Sequence, residues 1–254
     1  MAAATDYSTY LRIDDLLNLQ QPLTPGAHDE MLFIVVHQVY ELWFKLILVE
    51  LDRAVACLHE ADPVGAVAPL RRVTAVEELM LDQLRLLETM SPYGFLQFRD
   101  PLAPASGFQS TQYREIEELC GRIDVRHATA VGRTREQRAR LEQRAGEPTL
   151  WDSHVGAMHT RGIVTSNSAD DVLTGLVALY RDHSEPLRGA FHQVCELLID
   201  HDEAFARWRF HHALMAAREI GRREGTGGSL GVAYLDSTLD QRFFPLLWEV
   251  RSHL

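Results

Sequence analysis

Between His28 and Glu60 apolar residues return every three or four positions: Phe33, Val36, Tyr40, Trp43, Phe44, Ile47 and Leu51. That spacing lines one face of a helix with 3.6 residues per turn. Pro25-Gly26 marks its start and Asp62-Pro63 its end. A helix this long with one continuous apolar face is stable only against other elements that bury that face. The chain must therefore supply partners, and its pattern says they are helices.

A second helical pattern runs from about Ala66 to Met90 and closes at Ser91-Pro92. Tyr93–Ser106, rich in Pro, Gly and aromatics, reads as a loop. A third helix is expected from about Phe108 to Cys120, with Gly121 placed as a C-cap. Arg122–Arg144 is polar and arginine-rich and Thr160–Asp171 is rich in Ser, Asn and Asp, so short helices and mobile loops are expected between 122 and 170. Ser184 is placed as the N-cap of a helical region reaching about Arg223. Forty residues exceed an ordinary helix, which predicts a break near Asp200-His201-Asp202. Gly225–Gly231 is a glycine-rich loop, and Thr238–Leu254 returns to a helical pattern interrupted at Pro245. No stretch alternates as a strand would. The expected fold is all-α, a single-domain helical bundle over 1–254 with an N-terminal arm at about 1–12.

The formal charge of −11 argues against nucleic acid or an anionic membrane as partner, since both ask for a basic face. Cys57, Cys120 and Cys195 are far apart, odd in number and free of C-x-x-C spacing, which gives no support to a disulfide framework, a zinc knuckle or a covalently attached haem and fits a reducing compartment. Met1–Thr9 has neither the positive nor the apolar region of a signal peptide. Met31–Leu51, the most apolar stretch, carries His37, Gln38, Glu41, Lys45 and Glu50, too many polar groups for a bilayer span. A soluble cytoplasmic protein is expected.

Few residues announce chemistry through spacing. His37 shares a helix face with Phe33, Tyr40, Glu41 and Phe44, and is either a polar handle in an aromatic pocket or a bonded core histidine. His-x-x-x-Glu occurs at His37/Glu41 and His192/Glu196, but Glu-x-x-His, which a carboxylate-bridged diiron bundle uses, is absent. Adjacent His211 and His212 point about 100° apart on a helix, so only one can face a given pocket; a single inward histidine suits either a haem axial site or a structural role. The glycine loop either cradles an anion or merely connects. Arg99, among aromatics, is suited to clamp a carboxylate or to pair with Asp100.

Longer strings are more specific. They are Tyr10-Leu11-Arg12-Ile13-Asp14, His28 to Ile34, His37-Gln38-x-x-Glu41-Leu42-Trp43, Leu87 to Met90, Phe98-Arg99-Asp100 and Pro104-x-Ser106-Gly107-Phe108-Gln109-Ser110. Gln112-Tyr113-Arg114, Trp208-Arg209-Phe210-x-His212, Gly225 to Ser229 and Phe243-Phe244-Pro245-x-Leu247-Trp248-x-Val250-Arg251 follow. In this order they resemble the tryptophan 2,3-dioxygenase family from residue 7 to 251, with only about 122–190 unmatched.

The resemblance implies a b-type haem bound through iron to His212, with His211 a bystander. It implies that His37 stands at the indole N–H of bound L-tryptophan and that Phe33 and Leu102 wall the indole, with Phe95 at the loop edge. Arg99 is expected to clamp the carboxylate, Thr226 to meet the ammonium and carboxylate, and Ser106 to lie near the distal haem face. Tyr7 and Tyr10 match tyrosines that reach a neighbouring subunit's pocket in a homotetramer. The implied reaction adds both atoms of O2 across the indole C2–C3 bond and yields N-formylkynurenine, the entry to tryptophan catabolism by the kynurenine pathway. His211, Leu84, Tyr40 and Leu230 depart from the family pattern. Related haem enzymes of secondary metabolism insert one oxygen atom into tryptophan-like indoles, and that monooxygenase is the alternative reading.

Overall fold

The computed structural model describes residues 5–121, 133–227 and 230–254. Its elements are helical throughout, with no strand among the described residues. The N-terminal arm holds two short helices, α1 (Tyr7–Leu11) and α2 (Ile13–Leu17). The long apolar face becomes α3 (Asp29–His59), and its partner is α4 (Pro63–Leu87). Asp62 caps α4 by accepting from the Gly65 N–H, and Pro63 occupies the first turn, where its missing N–H costs nothing. Ile47, Leu51 and Ala54 of α3 and Leu70 and Val73 of α4 have no exposed surface. The two helices run antiparallel: Tyr40 donates to the Met80 carbonyl (2.7 Å) and Arg72 bonds Glu50 (2.6 Å). By length and composition α3 could cross a membrane, but it packs against α4 and other helices of the bundle.

Residues 93–106 correct the sequence reading. Most of the expected loop is a helix, α5 (Pro92–Leu102), nucleated by Ser91, whose side chain accepts from the Gly94 N–H, and by Pro92 in its first turn. The second proline, Pro101, falls in the last turn, where it breaks little. A 3₁₀ turn at Gly107–Gln109 leads into α6 (Thr111–Leu119), and Gly121 follows at φ +93°. Residues 122–132 of the segment expected to mix short helices and loops lie outside the described residues. Beyond them come α7 (Arg135–Ala145), α8 (Leu150–Thr160) and α9 (Ala169–Arg181).

The expected break near residues 200–202 does not occur. α10 runs from Pro186 to Ile220 without interruption, capped by Glu185 rather than Ser184. The polar trio that suggested a break is bonded inside the core instead. Asp202, with no exposed surface, accepts from the Phe243 and Phe244 amides and from Trp248 Nε1 (2.9–3.2 Å). His201 is equally buried; its Nδ1 meets Glu77 at 2.7 Å and its Nε2 meets Cys120 Sγ at 3.2 Å. Burial opposes a charge on His201, but the Glu77 carboxylate outweighs it and raises the imidazole pKa well above its usual range. The chain ends with α11 (Val232–Asp236), α12 (Pro245–Glu249) and a final 3₁₀ turn; Pro245 starts its helix rather than interrupting one.

Asp202 fixes the C-terminal segment to the long helix, so its removal has a predictable cost. Asp202→Ala strands the buried amides of Phe243 and Phe244 and the half-buried indole N–H of Trp248, and is expected to lower stability by about 3–5 kcal/mol in denaturant unfolding. A loss under 1 kcal/mol would refute this clamp.

Candidate active site

α3, α4, α5, α6, α10 and the loops after α5 and α10 surround one cavity of about 310 Å³. Its walls are mostly apolar, a size and lining that suit an organic ligand. Phe33, His37, Phe95, Arg99, Ser106, His212 and Thr226 all line it, so residues from four distant stretches of sequence converge.

His37 reaches the cavity from α3, one turn after Phe33. Its Nδ1 lies 2.7 Å from the Phe33 carbonyl, which can only accept, so Nδ1 donates. That bond fixes the tautomer: Nδ1 carries the proton, and Nε2 keeps a lone pair. Burial lowers the ring's pKa, so the imidazole is neutral at pH 7. The Phe33 ring lies 4.0 Å from the imidazole centroid at a 33° tilt, and Phe95 and Phe98 pack around Phe33 at 5.8 and 5.5 Å. Leu102 packs against this aromatic cluster rather than on the cavity wall.

Arg99 lies one turn after Phe95 on α5, on the same face. It donates from Nη2 to the Glu224 carbonyl, and Asp100 is 3.7 Å from Nη1. Its Nε is buried with no partner, so part of the guanidinium fork remains for a ligand. Thr226 donates from Oγ1 to the Ala105 carbonyl at 2.6 Å, which ties the glycine loop to the loop after α5. Gly228 and Ser229 of that loop lie outside the described residues. Ser106 caps the 3₁₀ turn by accepting from the Phe108 amide.

The two histidines of α10 separate cleanly. His211 is exposed, whereas His212 faces the cavity. The His212 ring stacks on Trp208, one turn earlier, at 5.1 Å and 7°. Among the described residues no hydrogen bond engages its ring nitrogens, and burial pushes its pKa down to about 4. A neutral imidazole, held by stacking and left with a free nitrogen in an apolar cavity, has the properties of an axial haem ligand. The donor chemistry thus fits haem at His212.

Tyr7 and Tyr10 do not join the cavity of their own chain; they are 74% and 75% exposed on α1. Of the departures noted in sequence, Tyr40 and Leu84 line the cavity, and Leu230 is exposed outside it. Sequence reasoning gave no role to Arg114, Arg209 and Glu219, which also line it, and weighed Glu41 only as part of a His-x-x-x-Glu spacing. Arg209 and Glu219 carried a usable signal, three residues before and seven after His212, on the same face of one helix. Glu41 is held by Gln112, whose Nε2 donates to both its carbonyl and its carboxylate at 2.8 Å.

Comparison with known proteins agrees with this assembly. The family model described as tryptophan 2,3-dioxygenase matches residues 1–158 and 163–254, so the match includes most of the stretch 122–190 that carries none of the strings quoted above. The tryptophan 2,3-dioxygenase of Herpetosiphon aurantiacus is 44% identical over the full length of both chains. That of Nocardioides sp. is 42% identical over 99% of this chain and 96% of its own, and that of Caulobacter vibrioides is 38% identical over the full length of both. With a cavity that gathers the family's motif residues and a match across nearly its whole length, the chain belongs to the tryptophan 2,3-dioxygenase family.

Proposed function

We propose that the protein is a haem-dependent dioxygenase that opens the indole ring of L-tryptophan with O2 to give N-formylkynurenine. The observation that carries this reading is the convergence of His37, Arg99, Thr226 and His212 on one aromatic-walled cavity. L-tryptophan is a zwitterion with a flat apolar ring and one N–H donor. Arg99 offers a planar cation for its carboxylate, Phe33 and Phe95 offer walls for the ring, and His37 Nε2 offers the acceptor for the indole N–H. The Thr226 hydroxyl, whose proton is committed to Ala105, offers a lone pair to the ammonium.

Ferrous haem b held by His212 would supply the iron that activates dioxygen. The side chains position the indole and exclude water around it. His37 is neutral with its proton on the far nitrogen, so it orients the substrate by one hydrogen bond. Both atoms of O2 enter the product, the C2–C3 bond breaks, and no outside reductant is consumed. Haem-loaded, reduced protein given L-tryptophan and O2 should release a ring-opened product heavier than its substrate by one O2. Absence of that product would reject the reading.

The same reading makes the protein a cytoplasmic homo-oligomer, a tetramer by family resemblance. α3 leaves Met31, Val35, Leu42 and Val49 exposed along one stripe, and Phe210 and Leu214 are exposed on α10. Contiguous exposed apolar surface of this kind marks interaction sites, and a second copy of the chain is the occupant this reading gives it. Tyr7 and Tyr10 sit on a short helix with no buried residue, a segment that needs a docking surface to be ordered. Deleting residues 1–10 is therefore expected to raise the KM for L-tryptophan while leaving haem content unchanged. Sedimentation as a fully active monomer would contradict the shared site.

A further inference from the structure

We propose that Arg114 and Arg209 form a built-in anion site that takes the carboxylates of the haem; this rests on the haem reading above. Both arginines line the cavity that His212 lines, and they are only 5% and 3% exposed. They arrive from different elements, Arg114 from α6 and Arg209 from α10, three residues before His212.

Each guanidinium is fixed by aromatic rings. Arg114 lies 4.8 Å from the Phe108 centroid and 4.9 Å from that of Tyr113. Arg209 lies 4.9 Å from Phe205 and 5.0 Å from Phe243. Such stacking orients a planar cation but leaves the N–H groups in its plane to be satisfied elsewhere. They are satisfied only in part. Arg114 donates from Nη1 to Glu117 at 2.5 Å, yet its Nε has no partner. Arg209 donates from Nη1 to the carbonyls of Thr238 (3.2 Å) and Gln241 (3.1 Å), yet Nε and Nη2 have none. Buried N–H groups of a charged side chain without acceptors are costly, so such groups mark a site whose acceptor arrives with a ligand.

The charge balance agrees. Glu117 offsets Arg114, but no carboxylate lies within ion-pair distance of Arg209 among the described residues. Arg209 thus has no carboxylate of its own among the described residues, while Glu41, Glu117 and Glu219 also line the cavity. The substrate's single carboxylate has its own cation in Arg99. Haem b carries two carboxylates, and ligation by His212 brings it onto the helix that carries Arg209. Arg114 and Arg209 thus select a porphyrin with free carboxylates, and His212 selects its metal.

The test compares haem with its dimethyl ester, in which both carboxylates are blocked. Full-length chain produced without haem is titrated with each and the Soret absorbance followed. Wild type should bind haem about 10- to 150-fold more tightly than the ester, the range expected for charge-assisted hydrogen bonds. Arg209→Gln and Arg114→Gln should each weaken haem binding and leave ester binding unchanged. Because Arg209 also holds the 238–241 turn, Arg209→Lys, which keeps the charge and a donor, should recover part of the difference, with thermal unfolding monitored for each variant. Equal affinity of wild type for haem and ester, with a His212-dependent spectrum for both, would overturn the anion site and leave the haem reading standing. Binding of neither would overturn both.

Discussion

His212→Ala is expected to leave the protein without most of its haem, whereas His211→Ala should retain it. The two side chains are neighbours in sequence and of one chemical type, so a difference must come from where the helix points them. α10 turns His211 outward to solvent and His212 into the cavity. His212 is already neutral at pH 7 and its ring is set by Trp208, so ligation requires no proton loss and little reorientation. Axial ligation by a protein side chain is what holds the iron in such a site, so its loss is expected to outweigh any change at the exposed neighbour. Haem content per chain, read from absorbance after denaturation, checks the prediction, and added imidazole should restore binding to His212→Ala. The reverse pattern would show that the ligand is wrongly assigned.

Arg99→Ala is expected to lower kcat/KM for L-tryptophan by roughly 10- to 150-fold, the equivalent of about 1.5–3 kcal/mol for a charge-assisted hydrogen bond. α5 presents Arg99 one turn from Phe95, so carboxylate and ring are read from the same helix face. The unpartnered Nε means the substrate carboxylate fills a vacancy rather than displacing an existing bond. Tryptamine, which lacks the carboxylate, should be a poor substrate of wild type and nearly indifferent to the substitution. Arg99→Lys should recover only part of the loss, because a point charge cannot reproduce the fork. Equal turnover of tryptophan and tryptamine by wild type would remove Arg99 from substrate binding.

Helical periodicity made α3 and α4 legible within a few residues, because both bury a single apolar face. It failed at α5, where Pro92, Gly94 and Pro101 look like loop residues; Pro92 is a first-turn residue under a Ser91 cap, and Gly94 is tucked against Asp29. It failed again at residues 200–202, because the core bonds that make His201 and Asp202 welcome inside a helix come from Glu77, Cys120 and the C-terminal segment, all remote in sequence. The site was readable only through whole strings resembling a family. Spacing alone left His37 and His212 between functional and structural roles; what bears on them is three-dimensional, the Nδ1 bond to the Phe33 carbonyl for one and the cavity face of α10 for the other. Arg114 and Arg209 were invisible as a pair because they come from separate helices.

In the proposed reaction this cavity directs both atoms of O2 into one tryptophan. Tyr40 and Leu84 stand on its wall as departures from the family pattern, so the outcome is a property of this chain's own pocket. Reduced, haem-loaded protein is to be incubated with L-tryptophan under isotopically labelled O2 and the product mass read. Two labelled oxygen atoms in a ring-opened product are the predicted result. A single labelled oxygen on an intact indole-derived ring would contradict the dioxygenase and make the protein a monooxygenase.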